Sequence, residues 1–308
     1  MSDLILHHYP PSPVSEKVRA GFGLKALAWR SVEQNRLPDR PELFAMTGGY
    51  RRIPVMQIGA DTYCDTQCIL MELEDRFPEP SLFPNQGAGL PFALSRWTDG
   101  SLFDLAFRVA LAPVAADLPP AFVADRARLY IGANADMEKE RADLPHTLAQ
   151  LRAQIGWLEA RLDTGRPYIL GDVPGMPDLL AWFIVWFIKE RYEDAPTFFA
   201  EFPKLQAWSD RMSALGHGRS TPMTPSEALD IAKSTTSPTR EASDPRDPQG
   251  LMPGMMVAIS PLSDSGEKPV EGQLRRVSRD RLAIDNRNPL CGHVVVHFPR
   301  VGYRVTVL

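Results

Sequence analysis

Ser12 stands directly before Pro13, at the head of a stretch whose apolar residues Val14, Val18 and Phe22 recur at helical spacing. Proline restricts the residue before it to extended geometry and itself suits the first helical position, so Ser12 is placed to cap a helix. A hydroxyl beside the positive end of a helix dipole also favours an anion. Capping alone accounts for the Ser-Pro pair, so both readings stand. Asp65 and Thr66 open a second helical pattern, where free N–H groups and a hydroxyl can hold a carboxylate or form a plain N-cap. Pro54 opens a strand pattern without a donor for the ladder, which can leave main-chain groups of its neighbour Ile53 unpaired. Arg52, just before them, offers a guanidinium to a carboxylate or to solvent.

Other chemistry-bearing residues fail on geometry. His293 and His297 share one face of a strand pattern, but four strand residues span about 13 Å, too far for one metal. His7 and His8 point to opposite faces. Cys64 and Cys68 lack a neighbouring His or second Cys pair and read as half-buried thiols. No metal site is implied. Trp182, Phe183, Trp186 and Phe187 read as core, and Asp178, third after Gly175, reads as half a capping box and thus a folding element.

These residues sit in a chain of 308, long enough for about two domains, with 44% apolar residues to fill their cores. Lys and Arg number 34 against 38 Asp and Glu, and a formal charge of −4 argues against a highly charged partner such as nucleic acid. The longest apolar run, residues 179–188, is about half a bilayer span, and the first residues lack the charge and apolar length of a signal peptide. Three cysteines cannot all pair within the chain. Together these features predict a cytoplasmic protein without membrane contact.

The first eighty residues alternate in type: strand 4–9, helix 14–27, strand 29–33, a short helix 41–46, a hairpin of 54–58 and 61–63, and a helix 65–76. Helical periodicity fills residues 91–233, with Leu148, Leu151, Ile155, Leu158 and Leu162 on one stripe. Residues 234–250 are polar and proline-punctuated, which predicts a free linker. Beyond it, five β-rich runs (255–259, 270–277, 281–285, 293–298 and 303–308) predict a small all-β, barrel-like module. From Gly250 onward the module has eight basic and five acidic residues, with only Phe298 and Tyr303 as aromatics, so it lacks the stacking platform of a single-strand binder. It is expected to fold independently and dock on the helical domain, so that truncation near Gly250 spares everything before it.

The order β-α-β-α-β-β-α followed by helices resembles the cytosolic glutathione transferases, bacterial type, with an added C-terminal module. Ser12-Pro13-Val14-Ser15-Glu16-Lys17-Val18-Arg19 is similar to that family's Ser/Cys-Pro-x-Ser-x-Lys-Val-Arg stretch, Arg52-Ile53-Pro54-Val55 to its Lys-Val-Pro-Val, and Asp65-Thr66 to its Glu-Ser or Gln-Ser. Ile69 to Glu74 and Phe77-Pro78-Glu79-Pro80 resemble the close of its first domain, and residues 171–178 its Gly-Asp-x-Pro-Ser/Thr-x-Ala-Asp folding motif. The resemblance covers about residues 1–233. It implies a thioredoxin-like domain over 1–84, an all-α domain over 91–233, the linker 234–250 and the extra module 251–308.

It also implies glutathione as co-substrate. Its thiolate would be stabilised by Ser12, with Ser15 and Tyr9 as rivals. Its cysteinyl part would pair with the backbone of Ile53 before a cis Pro54, its γ-glutamyl end would lie on Asp65 and Thr66, and its glycyl carboxylate on Arg52. A homodimer acting on a small electrophile or a peroxide in detoxification follows from the same resemblance, with an apolar acceptor pocket in the helical domain. Asp65 is shorter than the family's Glu or Gln, and Gly175 replaces its Ser or Thr. These departures, with the extra module, leave a second reading open: a non-catalytic scaffold whose β module contacts a partner.

Overall fold

The computed structural model describes residues 3–84, 87–263 and 265–308. Packing divides them into two bodies: the chain up to Val18 with Leu27–Arg76 and Arg219–Leu308, and Arg19–Ala26 with Phe77–Gly218.

From the N-terminus, β1 (Ile5–His8), α1 (Pro13–Leu24), β2 (Ala28–Glu33), α2 (Pro41–Thr47), β3 (Val55–Ile58), β4 (Asp61–Cys64) and α3 (Thr66–Arg76) follow in the predicted thioredoxin-like order, all in the first body except the second half of α1, from Arg19 on. β1 pairs parallel with β2 and antiparallel with β3, and β3 antiparallel with β4. Both β1 and β3 are buried along their whole length, including the polar side chains of His7, His8 and Gln57. α2 ends at Gly48 in the left-handed region (φ 66°), where a side chain would be strained and would also strike Val270.

In the helical body, α4 (Gly89–Trp97) runs through a π-type turn kinked at Gly100 into α5 (Phe103–Leu111). There follow α6 (Pro120–Tyr130), α7 (Met137–Ala142), α8 (Leu144–Leu162), α9 (Met176–Arg191), α10 (Ala195–Phe199) and α11 (Pro203–Ala214). The predicted stripe on α8 is buried at Leu151, Ile155, Leu158 and Leu162. α9 is almost wholly buried and is fixed by Asp178, which accepts from the N–H groups of Gly175 and Ile169 and from Trp208 Nε1 at 3.0, 2.9 and 2.8 Å. Gly175 is required by close approach: a Cβ there would lie 2.9 Å from the Leu82 carbonyl oxygen. The departure from Ser or Thr at this position is therefore steric. Among the described residues, no helix is long and apolar enough to cross a membrane.

Two elements that the sequence assigns to the helical domain join the first body instead. β5 (Arg219–Pro222) pairs parallel with β2, and α12 (Pro225–Ser234) starts at a Thr224–Glu227 capping box and packs through Ala228 against Ile5 and Val32. Arg-Ser-Thr-Pro has no apolar residue, so its strand character comes only from pairing with β2.

The five C-terminal strands, β6 (Met256–Pro261), β7 (Val270–Val277), β8 (Arg281–Asn288), β9 (Gly292–Pro299) and β10 (Tyr303–Val307), fall where the sequence places them. They do not stand apart. β9 runs parallel to β4, with Asp61 opposite Val295 and Tyr63 opposite His297, giving one ten-stranded sheet ordered β10-β6-β7-β8-β9-β4-β3-β1-β2-β5. An edge strand as short as β4 leaves a row of unpaired backbone groups, and β9 satisfies them. One apolar core unites Leu43, Met46 and Val55 with Val257, Leu274, Ile284, Val296 and Phe298. The predicted free linker is pinned as well. Ser237 and Thr239 donate to buried Asp61 at 2.9 and 2.7 Å, and Ala242 bonds to β7. Its hydroxyls serve a buried carboxylate, a role that a polar composition does not reveal.

Candidate functional site

Strand register brings the candidate residues together. His7 lies opposite Val55 and Val55 opposite Cys64, with both pairs antiparallel. The segment leaving β1 (Tyr9 to Ser12), the one entering β3 (Arg52 to Pro54) and the one leaving β4 (Asp65, Thr66) therefore emerge at one end of the three strands.

Ser12 caps α1. Its N–H donates to the Tyr9 carbonyl at 2.9 Å, its carbonyl accepts from Glu16 N at 3.0 Å, and its Oγ accepts from Ser15 N at 3.3 Å. Ser12 is half-exposed, whereas Ser15 is fully buried, its Oγ without a hydrogen-bond partner among the described residues. Tyr9 is half-buried, and the Arg36 guanidinium carbon lies 5.7 Å from its ring centroid. Of the three rival hydroxyls, Ser12 thus stands partly open at the helix N-terminus, while Ser15 faces the interior.

The Ile53–Pro54 peptide is cis, as the resemblance implies. The main chain of Ile53 makes no hydrogen bond among the described residues. Asp65 adopts φ 75°, a left-handed conformation that Asp tolerates better than most residues. Its Oδ1 accepts from Gln67 N at 2.9 Å, and its Oδ2 from the Tyr303 hydroxyl at 3.1 Å. The Thr66 hydroxyl is buried and accepts from Lys17 Nζ at 3.2 Å, tying α1 to the start of α3.

Arg52 is engaged from within the protein. Its Nε donates to both carboxylate oxygens of Glu267 at 2.9 Å, and its Nη2 reaches Glu267 and the hydroxyls of Ser263 and Ser265. Burial alone would lower the pKa of Arg52, but the Glu267 hydrogen bonds and charge hold it above its ordinary value. Burial likewise pushes the Glu267 carboxyl up, and Arg52 outweighs it and holds it down.

Cys64 and Cys68 are fully buried free thiols whose pKa values are raised by burial, so neither supplies a thiolate at neutral pH. Cys291 is also free and buried, with its Sγ 3.2 Å from the Ala45 carbonyl oxygen. His293 and His297 take separate carboxylates, Asp285 and Asp61. Among the described residues, no cluster of His, Cys, Asp and Glu could hold a metal ion.

Residues 6–81 match the glutathione S-transferase N-terminal domain and residues 136–211 the glutathione S-transferase C-terminal domain. A GST-like protein from Pseudomonas syringae, of known crystal structure, is 30% identical over 100% of both chains, with a TM-score of 0.81. The chain belongs to the glutathione transferase family. Two further structures share the fold at lower identity. A glutathione transferase from Phanerochaete chrysosporium is 18% identical, with a TM-score of 0.59, covering 70% of this chain and 98% of its own. A glutathione S-transferase from Rhodospirillum rubrum F11 is 21% identical, with a TM-score of 0.52, covering 79% and 96%. No curated protein matches.

The likeness to the Pseudomonas protein runs through the C-terminal module as well as the transferase body. Three residues of this transferase-family chain escape sequence reasoning: Lys17, Glu267 and Tyr303. Lys17 lies inside the quoted motif, which is the one signal that could have found it. Glu267 and Tyr303 meet Arg52 and Asp65 across more than 200 residues of chain, and nothing local marks them.

Proposed function

We propose that the protein binds glutathione at this end of the sheet and activates its thiolate for attack on an electrophile. The observation that carries this reading is the state of Ser12. Its oxygen accepts the capping bond from Ser15 N, and a hydroxyl has one donor besides its acceptor lone pairs, so capping leaves the O–H to donate outward. The two roles open to Ser12 are compatible. A thiol docked there meets a hydrogen-bond donor and the positive end of α1, which together draw its pKa below the free value of about 8.5. The sulfur lone pair then forms the bond to the electrophilic centre, and the leaving group departs with its electron pair.

The unpaired main chain of Ile53 suits strand-like pairing with the cysteinyl unit, and the α3 N-terminus at Asp65 and Thr66 suits the γ-glutamyl carboxylate. Because the protein's own cysteines are buried and protonated, the nucleophile comes with the ligand. We place the protein in the cytoplasm as a homodimer acting on a small electrophile or peroxide; light scattering checks the dimer.

The closure of Arg52 by Glu267 favours a second reading, a non-catalytic scaffold of the same fold. Retention on immobilised glutathione followed by a conjugation assay separates the two. Retention with turnover supports the enzyme, retention without turnover supports the scaffold, and no retention contradicts glutathione binding.

A further inference from the structure

The helical body holds a cleft of about 760 Å³ between α8 and the segment that runs from Tyr192 through α10. Pockets for drug-sized ligands span roughly 300–1,000 Å³, so the cleft has room for one. α8 leaves that space open with the small residues Ala149, Ala153 and Gly156, spaced three and four apart along one face. The opposite wall is aromatic. Tyr192 and Phe198 are part-buried, and Phe202 is buried with its ring centroid 5.8 Å from that of Phe198. The cleft lies wholly within the helical body and shares no residue with the proposed glutathione site, so it stands independently of that reading.

The charged side chains that line it are Arg152, Glu201 and Asp194. Arg152 donates from Nε and Nη2 to the two carboxylate oxygens of Glu201 at 2.5 and 2.6 Å, so these two charges cancel. Asp194, hydrogen-bonded by the Tyr192 hydroxyl, is left as the net charge. The flanking cations do not reverse it: Lys189 donates to Ser209 on α11, Lys204 pairs with Asp163, and Arg191 stands between Glu190 and Glu193. The C-terminal end of α9, just before Tyr192, adds the negative pole of its helix dipole. Aromatic ring faces are negative as well and attract cations. We infer that this cleft is a second ligand site, which takes an aromatic or quaternary organic cation packed on Tyr192 and Phe198 with its charge toward Asp194. An anion of the same shape would meet the same ring faces and the same carboxylate with the unfavourable sign.

Calorimetric titration of the full-length protein with tetraphenylphosphonium and with tetraphenylborate, ions of nearly the same shape and opposite charge, tests it. One phosphonium should bind per chain, about five- to tenfold more tightly than the borate. Ala153→Trp, at an exposed position, should fill the cleft and abolish that binding. The near-isosteric Asp194→Asn should weaken the phosphonium by about three- to tenfold and bring the two ions closer together. Equal or tighter binding of the borate, or no binding of the phosphonium, overturns the inference. Unchanged phosphonium binding in either folded variant overturns it too, because the ion would then sit elsewhere. If Ala153→Trp unfolds, as followed by circular dichroism, Asp194→Asn decides alone. Retention on immobilised glutathione is read separately, and none of these outcomes bears on it.

Discussion

The hydroxyl of Tyr303, on the last strand, donates to Asp65 Oδ2 at 3.1 Å and lies 2.8 Å from the hydroxyl of Tyr50. Both tyrosines are buried, and burial raises their pKa values, so they act as neutral hydroxyls. Tyr303→Phe removes both contacts and leaves the Tyr50 hydroxyl buried with one partner fewer. The expected cost is about 1–3 kcal/mol of stability, read from urea denaturation. Glutathione affinity should fall in the same variant as Asp65 loses its brace, and unchanged affinity would separate Tyr303 from the site.

Truncation after Gly250 tests the continuity of the sheet. It strips β9 from β4 and removes the module's half of a core that also holds Leu43, Met46 and Val55. It also deletes Arg281, which pairs with Glu72 and Asp75 on α3. The truncated chain should aggregate or lose its cooperative melting transition, followed by circular dichroism. A soluble, cooperatively folded product would return the module to independence.

The architecture of the first seventy-six residues was legible because each element carries its own period or turn signal, as at Pro13, Pro41 and the Gly59-Ala60 hairpin. The five late strands were legible for the same reason. Their attachment was not, because pairing of β9 with β4 joins residues more than 230 positions apart, and neither strand names its neighbour. β5 was hidden by its polar composition. The site divided along the same line. Ser12, Ile53, Pro54, Asp65 and Thr66 follow from local motifs, whereas the state of Arg52 depends on Glu267, which only the folded chain brings near.

Stability should depend on pH through His7. This ring is fully buried between Gln57 and Gln34, and burial lowers its pKa from about 6.5 to about 4 against the opposing Gln57 hydrogen bond. The folded form keeps His7 neutral, while the unfolded chain takes up a proton below about pH 6.5. Its contribution is therefore full above pH 6.5 and is lost as pH falls toward 4, by roughly 3 kcal/mol in total. Denaturation midpoints across this window should fall steeply in wild type and less steeply in His7→Gln. Parallel slopes would assign the pH dependence to other groups.

The proposed chemistry requires that the α1 N-terminus and the Ser12 hydroxyl stabilise a thiolate. The most direct measurement is the pKa of the bound glutathione thiol, followed by thiolate absorbance against pH in wild type and in Ser12→Ala. The thiol should titrate below the free value of roughly 8.5 in wild type and return toward it in the variant, by about one to two units, as loss of one charge-assisted hydrogen bond implies. Turnover of an electrophile should fall about ten- to a hundredfold, with glutathione affinity nearly unchanged. An identical thiol pKa in the two proteins would rule out thiolate stabilisation by Ser12 and leave it as a helix cap alone.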